Sequence, residues 1–543
     1  PRQPAAVPAG IPISRSGATY EQTKLYQQIV QSGRSPYPAP RPWYPLGGGQ
    51  WPEMFAGMYL GYPYACKILV QHMANPAWSM PAMAGADDPS LPWQQLISDT
   101  KKIPLYIAVD TVIAESTAYA DYIVPDTTYL ECWEFPGVWP VVPTTVQGVR
   151  WPVVDPLTSR TPQGAPMCLE QFLIDIALHL GMPGFGAHAF LEGGSLAVRE
   201  DYYLKMVANI AYDGSSFLSW QNGTVVAQGP VPDASAAELA AIRPLYQRHR
   251  SALSEAQWRK AAYVLARGGR FENYPAAYLP NPAAIARLND LVQADVLDTG
   301  VPGWVTAAHQ VTPADARRTM RELIAQGQGG DNPPWMAHTY GAGGMPCQIY
   351  NPTVAAMRSA ITGLPFSGVA RYQPPANIIG ATLAAAAADG AYPLLLSTHK
   401  DTVSSKAYSV ADPWLLEMMP EALVEISTTD ANRLGLQNGQ RVRVVSATHP
   451  RGMVGRVRVS QAIRPGVLTF AHGYGHWQYG AGKWVVDGSV FEGDPARGAP
   501  VRLNAVMAKD QSLGTAAGWA TGLADPVAGG QAFYDTSVRI EKA

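Results

Sequence analysis

The chain has 543 residues, 47% hydrophobic and 15% charged, with a formal net charge of −2. That balance describes a globular, well-buried protein of three or four domains at about 150 residues each. It argues against nucleic acid or an anionic membrane surface as the main partner. No uninterrupted apolar run reaches membrane-spanning length. The start, PRQPAAVPAG, has neither Met nor an apolar signal region, so the expectation is a processed chain or the later part of a longer one. The four cysteines, Cys66, Cys132, Cys168 and Cys347, never fall at Cys-x-x-Cys spacing. This speaks against an iron–sulfur cluster or a structural zinc held by a usual motif, and for buried free thiols. The 51 Gly and 48 Pro suit a loop-rich enzyme whose loops cover a ligand.

Residues 1–50 read as an irregular connector in which only Thr19–Ser32 has helical spacing, with Leu25 and Ile29 on one face. Cys66–Val70 reads as a strand, followed by the turn Asn75-Pro76-Ala77-Trp78-Ser79. Asn before Pro is extended and exposes its amide as donor and acceptor, as a plain turn or as a ligand contact. Ile103–Val109 is an apolar run suited to a parallel strand buried on both faces. Asp110 and Thr111 then fall at its carboxyl end, where open α/β sheets bind nucleotides. Glu115–Ala120 makes a short helical turn, and Tyr122–Val124 a second strand stopped by Pro125. Asp126 follows at that strand's end.

Arg150–Asp155 is β-like. Cys168–Leu180 is an amphipathic helix with Leu169, Phe172, Ile176 and Leu180 on one side and a packed His179. Glu200–Tyr212 and Leu253–Leu265 are helices of a less regular region. Arg267 and Arg270 flank a Gly-Gly turn that lets a ligand approach the backbone. Their guanidinium groups suit either bidentate binding of an oxoanion or surface ion pairs. Asn351-Pro352-Thr353 opens a helix over Val354–Ile361.

Tyr392–Ser397 is an apolar strand leading into Thr398-His399-Lys400-Asp401. Val424–Ser427, Arg441–Ser446, Gly455–Ser460, Val467–Ala471 and Val538–Ile540 are further strands. Thr429-Asp430-Ala431 caps a helical turn that Gly435 ends. Many short strands joined by Gly turns predict a β-barrel-like domain. Three histidines, His399, His472 and His476, would make a zinc site conceivable. The two glycines between His472 and His476 argue for a loop, and no metal is assigned.

Two segments carry a resemblance. The pattern from Ile103 to Glu131 (IPLYIAVDTVIAESTAYADYIVPDTTYLE) is one. The C-terminal series of strand-Ser-Thr-x-Lys, Asp-Ala-x-x-Leu-Gly-Leu-x-Asn-Gly and Arg-Pro-Gly-Val is the other. Together they resemble large subunits of the molybdopterin oxidoreductase (dimethyl sulfoxide reductase) superfamily. YVLARGGRFE, RWPVVDP, GMPGFG, EDYYLKMVANIA and ADYIVPDT resemble its tetrathionate reductase catalytic-subunit branch. The match runs, with gaps, from about residue 50 to the end.

The resemblance implies an α/β fold: a central doubly wound domain with a helical insertion, then a β-barrel-like molybdopterin-dinucleotide-binding domain. Its bounds would be a connector at 1–50, the first part of the cofactor-binding domain at 51–189, the insertion at 190–340, a return and linker at 341–391, and the last domain at 392–543. Cofactor contacts are expected from Asn75, Ser79, Asp110, Thr111 and Asp126 in the first segment. In the last domain they are expected from Ser397, Thr398, His399, Lys400, Ser404, Ser405, His472, Gly473, Gly475, His476 and Gln531, with Arg267 and Arg270 facing substrate.

The implied cofactor is two molybdopterin guanine dinucleotides with Mo or W. The superfamily's [4Fe–4S] motif and metal ligand are not visible in this sequence, and Cys66, ahead of the Asn-Pro turn, is a poor metal ligand. Both are therefore expected in an N-terminal half, as a separate chain or a missing segment. An iron–sulfur electron-transfer subunit, a membrane anchor subunit, plus a small inorganic anion, complete the expected partners, with no nucleic acid. The implied activity is reduction of tetrathionate to thiosulfate. Alternatives are polysulfide, thiosulfate, sulfite or arsenate as substrate, or a non-catalytic scaffold paralogue. The implied location is periplasmic or extracytoplasmic, membrane-associated through partners, with a cytoplasmic one as the alternative.

Overall fold

The computed structural model describes residues 24–33, 51–61, 65–81, 92–137, 146–190, 193–213, 218–221, 224–248, 250–271, 352–359, 362–369, 372–383, 390–403, 412–486, 488–494, 502–510, 512 and 522–543. Ser404, Ser405, Cys347 and the connectors expected before residue 51 (beyond 24–33) lie outside them. The described residues fall into two compact units. One contains those from Asp126 to Phe271, the other those up to Pro125 together with those from Pro352 onward.

The second unit opens with a parallel sheet. Its strands β1 (Ile68–His72), β2 (Leu105–Asp110) and β3 (Tyr122–Pro125) lie in that order. Ile68 pairs with Leu105, and Ile107 with Tyr122, so all three carboxyl ends point one way. β1 sits two residues later than the apolar run alone suggested, because pairing with β2 carries it on to His72. The helices Trp51–Leu60 and Pro92–Ile97 supply Phe55, Trp93 and Leu96 to a core shared with Ile103 and Tyr106. Phe55 meets Trp93 edge to face at 4.8 Å, the arrangement that ring quadrupoles favour.

The other unit holds β4 (Val146–Gly148), the hairpin of β5 (Leu218–Gln221) and β6 (Thr224–Ala227), and β7 (Gly269–Phe271), which pairs antiparallel with β4. Its core joins Leu204, Val207, Ala208 and Ala211 of helix Arg199–Tyr212 to Trp258, Ala261, Ala262 and Leu265 of helix Glu255–Arg267. The alanines at helical spacing let the two backbones approach closely. Ser254 caps the second helix by accepting from Gln257 N–H, and Gly268 ends it at φ +69°.

Two expectations are corrected here. Helix Leu169–His179 buries Gln171, Ile174 and Ala177, not the Leu169–Phe172–Ile176–Leu180 side, and Ile176 and Leu180 are exposed. Gln171 turns that face inward: its Oε1 accepts from Arg199 N–H at 3.1 Å, a buried bond that apolar periodicity does not register. His179 is exposed in the last turn, where a cation would favour the helix dipole, rather than packed.

The barrel follows. Strands β8 (Leu394–His399), β9 (Val424–Ser427), β10 (Arg441–Ser446), β11 (His449–Ser460), β12 (Val467–Ala471) and, after the small hairpin β13 (Trp484–Val486) and β14 (Ser489–Phe491), β15 (Thr536–Lys542) form it. Closure runs β10-β11-β9-β12-β8-β15 and back to β10. Alternate residues point inward. Leu394, Leu396, Val424, Ile426, Val442, Val444, Leu468, Phe470 and Val538 fill one core. Burying each such side chain stabilises by about 1.5–3 kcal/mol. Ser427 caps helix Thr428–Leu434 by accepting from Asp430 N–H at 3.0 Å, and Gly435 ends it. The helix expected over Val354–Ile361 is shorter, Pro352–Ala356.

Candidate cofactor site

β8 and β12 run parallel, pairing Thr398 with Phe470 and His399 with Ala471. Their carboxyl ends therefore emerge side by side and bring Ser397, Thr398 and His399 against the His472–His476 loop. Thr398 Oγ1 lies 3.5 Å from His472 Nδ1, and His399 Nδ1 lies 3.1 Å from Thr469 Oγ1. Tyr474 O–H donates to Asp401 Oδ2 at 3.1 Å. Gly473 and Gly475 both take positive φ, +94° and +78°, so the loop doubles back where a side chain would be strained.

That loop is pinned to the end of the parallel sheet by Glu115. Its carboxylate is fully buried and lies 3.0 Å from His476 Nδ1. It also accepts from Gln478 N–H at 2.9 Å and from Asn75 Nδ2 at 2.6 Å. Asn75 Oδ1 in turn accepts from Ser116 N–H at 3.0 Å, and Ser116 Oγ from Ala77 N–H at 2.9 Å. Tyr479 N–H donates to Ile113 O at 3.1 Å. The Trp78 ring stacks on His476 with centroids 4.3 Å apart and planes 13° from parallel. Burial pushes the Glu115 carboxyl up. The hydrogen bonds and charge of His476, with the Gln478 and Asn75 donors, outweigh that and hold it below its ordinary value. The result is a rigid joint between two strand-end loops, the place where α/β sheets take ligands.

The remaining expected residues divide. Asp110 is turned inward, accepting from Thr111 N–H at 2.8 Å and Thr117 Oγ1 at 3.1 Å, so it braces the loop. Thr111, Ser79 and Lys400 are exposed. Gln531 pairs with Ala524, and its Oε1 lies so close to Gly522 that a Cβ there would stand 2.5 Å away. Gly522 in turn abuts Pro81, just beyond the Asn75–Ser79 turn. Asp126 belongs to the other unit, where it accepts from Thr127 N–H at 2.8 Å and Leu169 N–H at 3.4 Å. Arg267 and Arg270 are there as well, and both are engaged. Arg267 pairs with Glu238 and lies over the Tyr263 ring. Arg270 is buried and donates to the carbonyls of Ile210, Ala211 and Gly229. Cys66 lies ahead of β1, at the opposite end of that strand from Asn75.

Three atoms test whether a dinucleotide suits the second unit. Trp78 Nε1 and Gln531 Oε1 are buried with no hydrogen-bond partner among the described residues. Lys509 is half-buried, burial lowers its pKa, and among the described residues it has no ion pair. An unmet donor, an unmet acceptor and a desolvated ammonium are what a ligand of bases and phosphates completes, so the residues fit. Glu115, Trp78, Gln478 and Lys509 escaped the reading of the sequence. The available signal was a carboxylate just past a strand's carboxyl end, at Glu115.

Among the described residues one ligating cluster stands out in the other unit: Asp126, Cys168 and Glu170, with ligand atoms within 4.8 Å of one another. Burial pushes the Cys168 thiol up to about 12, with the neighbouring Arg199 guanidinium opposing that. Arg199 is itself buried and bonded to Glu200 Oε1 at 3.0 Å and Glu131 O at 3.3 Å. A fixed cation in the cluster disfavours a metal ion, and the group reads as the start of helix Leu169–His179.

Residues 394–512 match the molybdopterin dinucleotide binding domain. The chain is 32% identical over 502 residues to a tetrathionate reductase subunit of Salmonella typhimurium, covering 92% of this chain and 42% of that protein. It is 29% identical to a selenate reductase subunit of Mesobacillus selenatarsenatis over 98% of this chain and 44% of that one. A tetrathionate reductase subunit of Archaeoglobus fulgidus is 29% identical over 87% and 38%. The barrel whose strand ends carry the His472–His476 loop is thus a molybdopterin dinucleotide-binding domain, and the chain belongs to the molybdopterin oxidoreductase superfamily. It spans less than half the length of the curated relatives it matches.

Proposed function

We propose that this chain is the C-terminal part of the catalytic subunit of a molybdopterin-dependent oxidoreductase whose assembled form reduces tetrathionate. Two electrons enter the central S–S bond, which breaks to release two thiosulfates. The observation that carries this reading is the 32% identity to a tetrathionate reductase subunit over 92% of the chain. When bound, two molybdopterin guanine dinucleotides with Mo or W supply the redox chemistry. The chain's own residues bind and orient. Lys509 neutralises phosphate, and Trp78 Nε1 and Gln531 Oε1 take up polar edges of the dinucleotide. The Glu115–His476 joint holds the Gly473–Gly475 backbone against it and keeps water out. An N-terminal half holding the metal ligand and a [4Fe–4S] cluster, together with iron–sulfur and membrane-anchor subunits, completes the assembly on the extracytoplasmic side.

A second reading is favoured by the selenate reductase subunit, 29% identical over 98% of this chain: another inorganic oxoanion is the substrate. The natively purified assembly should be analysed for Mo, W and Fe, then assayed with a reduced viologen dye. Stoichiometric Mo or W with tetrathionate turnover supports the first reading, and turnover of selenate alone the second. Metal-free protein that captures no cysteine-rich partner refutes both and leaves a scaffold paralogue.

A further inference from the structure

The unit that contains Arg199 also holds a cavity of about 600 Å³. That is within the range of about 300–1,000 Å³ typical of small-molecule sites. Its walls include Pro152, Pro156, Pro166 and Pro244, and three arginines, Arg160, Arg199 and Arg243, line it together with Asp155 and Glu200. Proline-rich walls keep their shape without a ligand, since each ring fixes its φ.

The charges do not cancel. Arg199 and Glu200 form a buried pair at 3.0 Å, both side chains at most 3% exposed, and neither is available. Arg243 pairs with Asp155 at 2.7 Å, but the Asp155 side chain is 70% exposed. Such a pair is worth about 1 kcal/mol or less, so Asp155 can swing into solvent and free one edge of the guanidinium. Arg243 stays placed meanwhile, because its Nη1 donates to Pro152 O at 2.8 Å. Arg160 has a single long bond, 3.4 Å to Pro156 O, and no carboxylate within ion-pair distance among the described residues. A tight hairpin presents it: Arg160 bridges Pro166, Thr161 N–H donates to Ala165 O at 2.8 Å, and Gly164 closes the turn at φ +80°. Gln163, at the tip, adds an amide to the lining.

We propose that this cavity binds a multivalent inorganic oxoanion between Arg160 and Arg243. Planar guanidinium forks match the paired oxygens of such an anion, and a dianion outcompetes the single charge of Asp155 for Arg243. Binding there does not depend on which substrate the assembled enzyme reduces.

The test is calorimetric titration of the full chain with sodium thiosulfate, and separately with sodium sulfate, at low ionic strength against chloride. One equivalent should bind. Arg160→Ala should weaken it at least tenfold with unchanged thermal unfolding, and Asp155→Asn should tighten it severalfold by removing the competitor. No saturable binding by the unaltered chain overturns the site. So does affinity that neither variant moves. Should Arg160→Ala fail to fold, Asp155→Asn decides alone, tighter binding upholding the site and unchanged binding overturning it. No turnover is read, so failure here leaves the assignment of substrate untouched.

Discussion

The barrel and the parallel sheet belong to the same compact unit, yet they complete themselves to different degrees. Each barrel strand has a partner on both sides, and its inward residues are sealed: Leu396, Val442, Val444, Leu468 and Phe470 are all 0% exposed. Among the described residues the sheet seals only its middle strand. On the outer strands Ile68 is 59% exposed and Tyr122 66%. Parallel sheets are normally covered on both faces, because crossovers place helices there. An apolar strand left open is a surface that expects a partner. The barrel therefore closes on itself, whereas the sheet leaves apolar side chains on its outer strands open among the described residues. The chain spans 42% of its Salmonella relative, and on the proposed reading of it as a C-terminal part, the N-terminal half packs there.

The comparison can be broken at its strongest point first. Phe470→Ala should cost about 3–5 kcal/mol in chemical denaturation, since a closed barrel cannot collapse around the hole. A loss under about 1 kcal/mol would mean that the barrel core is loosely packed. Next is the joint between the two regions. Glu115→Ala leaves His476, Asn75 and Gln478 N–H without their shared acceptor in a buried place. Breaking a buried pair in this way should cost about 3–5 kcal/mol. Hydrogen exchange of residues 472–479 should accelerate, while the β10–β11 amides stay protected.

The same carboxylate sets an acid dependence. Glu115 is held below its ordinary 4.5, so the stability it contributes is complete above that pH and is lost as pH falls through the lower folded value. Unfolding free energy followed from about pH 6 downward should therefore drop more steeply in the unaltered chain than in Glu115→Gln. Parallel curves would show that the carboxylate is not the titrating group. The smallest effect belongs to the open sheet. Ile68→Ser should change the stability of this chain by within about 0.5 kcal/mol. It should weaken capture of the N-terminal half in a pull-down. A loss like that of Phe470→Ala would show the face to be covered already, and the contrast would fall.

Much of this molecule was written locally. Two-residue alternation marked Arg441–Ser446 and Gly455–Ser460, the apolar run Ile103–Val109 marked the strand Leu105–Asp110, and Gly435 ended its helix where left-handed backbone demands it. Such signals survive in one stretch of chain because they depend on near neighbours. The joint did not: Glu115 and His476 are 361 residues apart, and neither carries a mark of the other. Arg270 read as an oxoanion ligand because a guanidinium looks the same whether it faces solvent or three backbone carbonyls. Lys509 went unnoticed because a lysine is unusual only once burial strips its water. The strands and caps followed from the order of residues, through short-range sterics and periodicity. Which polar groups are satisfied within the fold and which await a ligand emerged only on folding, because desolvation and hydrogen-bond partnership come into being when distant segments meet.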